Sequence, residues 1–138
     1  WRGIAVNGLR LTNGGSVADI CCGSGDFMTE IRSAVGSTGT VVGVDFCLPM
    51  LQQADAKRIP GIHLGDALSL PLQSGKFDAA TVGWGLRNVP DIDVAHAEIF
   101  RVLKSGGRFA SIDMAKPRNP MTRAISKFFF NTFSPLLG

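Results

Sequence analysis

The fold is decided by the stretch "DICCGSGDF" at residues 19–27, a glycine-rich segment that directly follows an apolar run. Gly23 and Gly25 fall where a buried strand must turn sharply into a helix. Glycine adopts the unusual backbone angles of such a turn, and its missing Cβ allows a ligand to approach the backbone closely. Segments of this kind occur in several classes of ligand-binding α/β proteins. The segment therefore predicts a strand, a tight turn and a helix, and the rest of the chain must identify the ligand.

Short apolar runs alternate with helical patterns along the chain. The runs predict five buried strands, at residues 17–22, 40–44, 61–64, 77–82 and 108–112. Helical periodicity is found between them and near both ends, at residues 1–11, 27–35, 49–58, 91–103 and 121–136. This alternation predicts an α/β protein with right-handed crossovers, a mainly parallel sheet with helices on both faces, and a binding site at the carboxyl ends of the strands.

The composition fits one domain and excludes several classes of function. The 138 residues carry a net charge of +3, and the basic residues are too dispersed to predict nucleic-acid binding. The three cysteines lack the spacing of a zinc site, so no metal site is predicted, and Cys21 and Cys22 are interpreted as small packing residues. No apolar run reaches the roughly 18 residues that span a bilayer. The sequence therefore predicts a cytoplasmic protein, with a peripheral position at the inner face of a membrane as the alternative.

Two details of the glycine segment narrow the choice of ligand. A dinucleotide-binding fingerprint requires a third glycine three positions after Gly25, where this chain has Met28. No Lys-Ser/Thr pair follows the segment, as a phosphate-binding loop requires. A ligand with a ribose and an amino-acid carboxylate, but without phosphates, suits the helix N-terminus better.

Two acidic residues at the ends of predicted strands are candidates for contacts with a nucleoside. Asp45 follows Gly25 by about 20 residues, where an acidic side chain contacts ribose hydroxyls in doubly wound nucleotide-binding folds. That placement fits NAD equally well. Asp66, after the third predicted strand, could accept a hydrogen bond from an adenine amino group. The alternatives are a helix N-cap role for Asp45 and a turn-capping role for Asp66.

Four blocks in fixed order indicate the family that the chain resembles. They are "DICCGSGDF" (19–27), "VVGVDF" (41–46), "GDALSLPLQSGKFDAATVGWGLRNV" (65–89) and "RVLKSGGRF" (101–109). With them the chain resembles the class I S-adenosylmethionine (SAM)-dependent methyltransferases, and more narrowly the ubiquinone/menaquinone biosynthesis C-methyltransferases. The narrower resemblance rests on "GLRNVPD" (85–91) and "RVLKSGG" (101–107). It implies a Rossmann-like class I methyltransferase fold, present here as a single SAM-binding domain over residues 1–138 that is truncated at both ends.

The resemblance also implies which residues bind SAM. They are Asp19, Gly23 and Gly25 at the methionine part, Asp45, Phe46 and Met50 at the ribose and adenine, Asp66 and Ala67 at the adenine edge, and Gly83 and Trp84 near the sulfonium.

The resemblance places Arg87 and Asn88 towards the methyl acceptor. Arg87 is a poor base because its pKa exceeds about 12, but its charge could stabilise a quinolate or position a water that removes the proton. Asp113, at the end of the fifth predicted strand, is the other catalytic candidate, as a base or as an orienting acceptor. The alternatives are a surface salt bridge for Arg87 and a strand-end cap for Asp113.

Together these expectations describe a SAM-dependent enzyme that methylates a ring carbon of a prenylated quinol, with demethylmenaquinol or a related naphthoquinol as the first choice of acceptor. The alternatives are a class I methyltransferase for another small molecule and an inactive SAM-binding partner subunit. The apolar stripe at residues 125–136 is interpreted as packing, with contact to a membrane or a prenyl tail as the alternative. An open sheet edge predicts self-association as a homo-oligomer.

Overall fold

The computed structural model describes residues 1–114, 119 and 121–122, and within them contains a five-stranded parallel sheet. The elements, in chain order, are α1 (Arg2–Leu9), β1 (Ser16–Ile20), α2 (Asp26–Val35), β2 (Thr40–Asp45), α3 (Leu48–Ala56), β3 (Ile62–Leu64), β4 (Phe77–Gly83), a short 3₁₀-helix (Leu86–Asn88), α4 (Ile92–Val102) and β5 (Leu103–Ile112). The α/β alternation predicted from the sequence is confirmed, and so are all five strands.

The order of the strands places a crevice at the centre of the sheet. The order is β3-β2-β1-β4-β5, so the chain leaves β1 towards one side and later adds β4 on the other side. Ile20 at the end of β1 aligns with Val44 of β2 and with Val82 of β4. The carboxyl ends of the three central strands are therefore level. In open α/β sheets this switch point is where ligands bind.

The sheet has a separate apolar core on each face, because successive side chains of a strand point to opposite sides. One core contains buried residues of α1 and α2, with Val17 of β1 and Ala79 of β4. The other contains buried residues of α4, with Ala18 of β1 and Ala80 of β4. The prediction of helices on both faces is confirmed.

Two strand boundaries differ by more than one residue from those predicted. Strand β1 ends two residues early, at Ile20, because Cys21 has a left-handed backbone with φ 56°. Strand β5 begins at Leu103 instead of residue 108, because Leu103 already pairs with Phe77. The pairing then shifts, so that Ala79 pairs with Arg108. The residues between Leu103 and Arg108 therefore form an irregular insertion rather than a separate turn.

Helix α2 packs closely on β2 without the third glycine of a dinucleotide-binding loop. Met28 occupies that position and is fully buried. A Cβ added to Gly43 of β2 would overlap the Met28 sulfur and would lie 2.8 Å from the Cys22 sulfur. The small residue that permits close contact between helix and strand is therefore on the strand.

Part of the sequence prediction lies outside the described residues. The helix predicted at residues 121–136 falls there apart from Met121 and Thr122, and so does its apolar stripe at residues 125–136. In the described part of the chain, no helix combines the length and the hydropathy that crossing a membrane requires.

Gly43→Ala is expected to lower the free energy of unfolding by about 1–3 kcal/mol, because the added methyl group overpacks the Met28 site. Gly8→Ala is the matched control. Gly8 lies within α1, and a Cβ there meets nothing within 4 Å. This control is expected to raise the free energy of unfolding by about 0.5–1 kcal/mol. Urea denaturation of both variants measures the difference, and a Gly43→Ala variant as stable as the wild type would contradict the packing described here.

Candidate functional site

A cavity of about 600 Å³ opens at the carboxyl ends of β1, β2 and β4. It lies at the switch point of the sheet, where the sequence predicted the binding site. Its size is within the range of about 300–1,000 Å³ that is typical of small-molecule sites.

Most of the residues predicted to bind SAM lie around this cavity. Those that line it are Asp19, Gly23, Asp45, Phe46, Met50, Asp66, Ala67, Gly83 and Trp84. Gly25 is not part of the wall, although it belongs to the predicted set. It is buried, has φ 77°, and an added Cβ would lie 2.6 Å from Ile59 Cδ1. Gly25 therefore allows the turn into α2 to pack against the residues after α3, and its assignment as a ligand contact stays a prediction.

Asp19 is a buried carboxyl group at the end of β1. Its Oδ1 accepts a hydrogen bond from the Thr81 hydroxyl at 2.6 Å, and Thr81 is its neighbour on β4. Its Oδ2 is buried and has no hydrogen-bond partner among the described residues. Burial raises the pKa of Asp19 to about 7, because removal from water disfavours the charged form. Asp19, a residue of the cavity wall, therefore has one carboxyl oxygen whose hydrogen-bonding capacity is not used by the described residues.

Asp45 holds together the loops that follow β1 and β2. Its Oδ2 accepts a hydrogen bond from the Gly23 N–H at 2.8 Å, and its Oδ1 accepts one from the Cys47 N–H at 2.8 Å. The capping role that the sequence left as an alternative is therefore present. A carboxylate oxygen can accept two hydrogen bonds, so each oxygen keeps capacity for a ligand hydroxyl. The capping and ribose-binding roles are compatible in this geometry.

Asp66 also has a structural partner. Its Oδ1 accepts a hydrogen bond from the Leu68 N–H at 2.9 Å, which is the turn-capping role named as the alternative. The residue is exposed, and with Ala67 it contributes to the cavity wall after β3. Its second oxygen is the group that remains for an adenine contact.

Two residues at the cavity wall adopt a left-handed backbone that non-glycine residues rarely use. Cys21 has φ 56° and Trp84 has φ 58°, directly after the adjacent strands β1 and β4. The Trp84 N–H donates to the carbonyl of Ile112 at 2.8 Å, which ties this turn to β5. Such conformations persist where the surrounding structure enforces them, and they cluster at functional sites.

Cys21 and Cys22, which line the cavity, are uncharged thiols. Burial, reinforced by nearby carboxylates, raises the pKa of Cys21 to about 11 and that of Cys22 to about 12. A reactive cysteine needs a lowered pKa, because the thiolate is the nucleophile. The interpretation of both residues as packing groups agrees with these values.

The three residues predicted to face the acceptor occupy different positions. Asn88 lines the cavity, whereas Arg87 and Asp113 do not. Arg87 Nη1 lies 3.4 Å from Asp113 Oδ1, so the two catalytic candidates form an ion pair with each other. The salt bridge that the sequence left as an alternative for Arg87 is therefore present, and its catalytic role stays a prediction.

The sequence analysis missed two charged residues of the wall, Arg2 and Asp26. Arg2, on α1, lines the cavity about 20 positions before the glycine segment. Nothing in its spacing relative to the four blocks indicates this position, because it depends on how α1 packs against α2 and β5. Other missed wall residues, among them Phe27 and Val89, adjoin predicted site residues along the chain.

Comparison with solved structures assigns the fold to a class. A SAM dependent methyltransferase from Aquifex aeolicus matches with a TM-score of 0.76 at 20% sequence identity, over 86% of this chain and 66% of that chain. At this identity the likeness shows the fold alone. The fold is that of the class I SAM-dependent methyltransferases, as the sequence predicted.

Sequence comparisons define the family. The model of the ubiE/COQ5 methyltransferase family matches residues 1–138. A demethylmenaquinone methyltransferase from Desulfitobacterium hafniense is 39% identical over 145 residues, covering 100% of this chain and 57% of the relative. A 2-phytyl-1,4-naphtoquinone methyltransferase from Nostoc punctiforme is 40% identical over 140 residues, covering 96% of this chain and 61% of the relative. The chain belongs to the ubiE/COQ5 methyltransferase family, and it spans less than two thirds of the length of these relatives.

Asp19→Asn is expected to remove a pH dependence of stability. The folded-state pKa of about 7 lies above the ordinary value of 3.8, so the folded protein binds more protons than the unfolded chain between these limits. The free energy of unfolding of the ligand-free wild type should therefore fall as the pH rises from 4 to 7, by about 1.4 kcal/mol per unit at most. The asparagine variant can still accept the Thr81 hydrogen bond and should lack this decrease.

Urea denaturation at about pH 5 and pH 8 measures the effect, with Asp55→Asn on the exposed face of α3 as the control. The Asp19 variant should be more stable than the wild type at pH 8 by about 2–4 kcal/mol. If the free energy of unfolding depended on pH equally in the wild type and in Asp19→Asn, the raised pKa of the buried Asp19 would be contradicted.

Proposed function

We propose that this chain binds SAM in the cavity, and that the protein to which it belongs transfers the methyl group to a ring carbon of a prenylated quinol. Membership of the ubiE/COQ5 methyltransferase family supports this proposal. The observation that carries the donor assignment is the arrangement of three carboxyl groups along one cavity. Asp19 is the next-to-last residue of β1, Asp45 ends β2, and Asp66 follows β3.

The chemistry of SAM matches the groups along the wall. The donor carries an ammonium group, two ribose hydroxyls and an adenine amino group, all of which donate hydrogen bonds. Asp19 Oδ2, which has no partner among the described residues, suits the ammonium, and Asp45 suits the hydroxyls. A dinucleotide would bring phosphates close to these carboxylates, where like charges repel. The wall therefore favours SAM over NAD.

When bound, SAM supplies an electrophilic methyl group on a sulfonium. The chain's own contribution is to orient the donor and to border the reacting end, where Gly83 and Trp84 follow β4. Holding two reactants in the reacting geometry removes much of the entropic barrier to their reaction. Asn88 lines the same end of the cavity and is proposed to lie between donor and acceptor.

For the acceptor we propose demethylmenaquinol or a related naphthoquinol, because two relatives are named for naphthoquinone-type substrates. Transfer to a ring carbon requires an electron-rich ring, and hence loss of a hydroxyl proton. We assign the Asp113 carboxylate as the proton acceptor and the Arg87 guanidinium as the charge that stabilises the quinolate. Arg87 Nη1 lies 3.4 Å from Asp113 Oδ1, so the two proposed groups lie side by side.

The proposal includes a cytoplasmic protein in peripheral contact with a membrane, where prenylated quinols reside. Three exposed apolar side chains support this, because they occur where β2 and β3 end at the carboxyl side of the sheet. They are Phe46, Leu48 and Leu64. We also propose self-association through the outer edge of β5, which pairs with no other strand among the described residues.

Calorimetric titration with S-adenosylhomocysteine tests the donor assignment. We expect saturable binding by the wild-type chain, and Asp45→Ala should weaken it at least about tenfold because charge-assisted hydrogen bonds are lost. Asp55→Ala, on the exposed face of α3, is the control and should bind as the wild type does. Thermal denaturation of each variant is measured in parallel, since Asp45 also holds two backbone N–H groups. A folded wild-type chain that binds no S-adenosylhomocysteine would refute the donor assignment.

Arg87→Ala in the complete protein tests the acceptor assignment. The variant should lower kcat with demethylmenaquinol about 100-fold, because the quinolate loses its stabilising charge, and should bind S-adenosylhomocysteine normally. Lys104→Ala is the matched control, since it removes an exposed ion pair with Asp78 near the opposite ends of the strands. Unchanged methylation by Arg87→Ala would reject its role. A wild-type protein that binds the donor and methylates no quinol would favour another acceptor or an inactive partner subunit.

A further inference from the structure

The loop that carries part of the cavity wall has little regular structure of its own. Residues 65–76 connect β3 to β4, and Asp66 and Ala67 near the start of this loop line the cavity. All residues of the loop are described, and the single β-pairing among them is a bridge between Asp66 and Ser69. Because ordering each residue of a loop costs conformational entropy, contacts with other parts of the chain must fix its backbone.

Two side chains near the end of α4, Glu98 and Arg101, hold the backbone of this loop. Glu98 Oε2 accepts a hydrogen bond from the Leu70 N–H at 2.7 Å, and Arg101 Nη2 donates one to the Leu70 carbonyl at 3.0 Å. Arg101 also donates to Glu98 itself, from Nε to Oε1 at 2.6 Å and from Nη2 to Oε2 at 2.8 Å. The Glu98–Arg101 pair therefore binds both backbone groups of Leu70 while it forms a bidentate ion pair.

The Arg101 guanidinium uses all five of its N–H groups. Its Nη1 donates to the Leu72 carbonyl at 2.9 Å and to the Ser74 hydroxyl at 3.0 Å, in addition to the three bonds given above. A guanidinium has five donors in a planar fork, whereas lysine has three donors on one nitrogen. The exposed fraction of the side chain is 34% for Arg101 and 18% for Glu98. These contacts are specific to arginine, and they fix the loop more firmly than an exposed ion pair does.

Pro71, the residue after Leu70, connects this restraint to the cavity wall. A Cβ added to Gly65 would lie 2.7 Å from Pro71 Cδ, so the loop folds back tightly onto the residue before Asp66. Ala67 and Leu70 are buried in the same apolar core. Because such a core is closely packed, a shift of Leu70 would displace the neighbouring wall residues as well.

We propose that Glu98 and Arg101 are positioning residues that set the selectivity of the cavity for the nucleoside base. By holding Leu70, they keep the Asp66 carboxylate where it accepts a hydrogen bond from the exocyclic amino group of adenine. This inference rests on the proposed function and extends it to two residues that do not line the cavity.

The test is calorimetric titration of the 138-residue chain with two ligands, S-adenosylhomocysteine and its purine analogue, in which hydrogen replaces the exocyclic amino group of adenine. The wild-type chain should bind S-adenosylhomocysteine at least about tenfold more tightly, as expected for one hydrogen bond to a charged group. Glu98→Gln keeps the size of the side chain but replaces one carboxylate oxygen by an NH₂ group, which cannot accept a bond from Leu70 or Arg101. It should lower the ratio of the two affinities to about two or less, because Asp66 is no longer held in place.

A second variant, a matched control and a double variant accompany this measurement. Arg101→Lys keeps the positive charge but loses the planar fork, and should lower the ratio in the same way. Glu30→Gln makes the same chemical change at an exposed position of α2 and should keep the wild-type ratio. Asp66→Ala should also abolish the preference, and adding Glu98→Gln to it should lower the ratio no further, because the pair acts through Asp66.

The ratio separates positioning from a purely structural role, since a general loss of stability weakens the binding of both ligands equally. A wild-type ratio in both Glu98→Gln and Arg101→Lys would overturn the inference and leave the donor site in place. A further fall of the ratio in the double variant would overturn the route through Asp66. A wild-type chain that binds the two ligands equally well would refute the Asp66 contact, and the inference with it. Only a wild-type chain that binds neither ligand would refute the proposed function.

Discussion

The hydrogen bond between Asp19 and Thr81 joins the two central strands at the point where the direction of the chain across the sheet changes. The loops that leave these strands begin with left-handed residues, Cys21 and Trp84, and enclose the cavity between them. A buried carboxyl group costs free energy unless it is paired or neutralised. One oxygen of Asp19 has no partner among the described residues. The burial of this carboxyl group therefore costs stability, and a cationic group beside it would offset that cost.

Asp45 has a different role, because it stabilises the loops that a ligand would contact. It fixes Gly23 at the glycine segment and Cys47 before α3. These bonds set the geometry of the wall before any ligand arrives, so that binding requires little reorganisation. Asp19 and Asp45 thus differ in their partners, since Asp19 has one oxygen without a partner among the described residues and Asp45 is held by two backbone donors. Burial is the main cause of the raised pKa of Asp19.

Local patterns were sufficient to predict the architecture, whereas contacts between distant segments were not. The alternation of apolar runs and helical patterns predicted the parallel sheet, because those periods arise within single elements. The end of β1 was placed two residues late, since the apolar Cys21 gives no sign of its left-handed backbone. Three features of the structure depend on contacts between residues that are far apart in the chain. They are the packing of Met28 against Gly43, the ion pair of Arg87 with Asp113, and the position of Arg2 at the cavity wall. A single sequence contains no periodic signal for such contacts, and the family resemblance identified only the residues within its motifs.

The central claim is that Asp19 is the group that receives the ammonium of the donor, and proton release on binding tests it most directly. With a pKa of about 7, Asp19 is mostly protonated at about pH 6.5 in the free protein, and an adjacent ammonium should lower that pKa and release the proton. Titration with S-adenosylhomocysteine in buffers of different ionisation enthalpy counts the protons released. We predict release of most of one proton at about pH 6.5, much less at about pH 8.5, and none for Asp19→Asn at either pH. Binding heats that do not depend on the buffer in the wild type, or that depend on it equally in Asp19→Asn, would contradict the account.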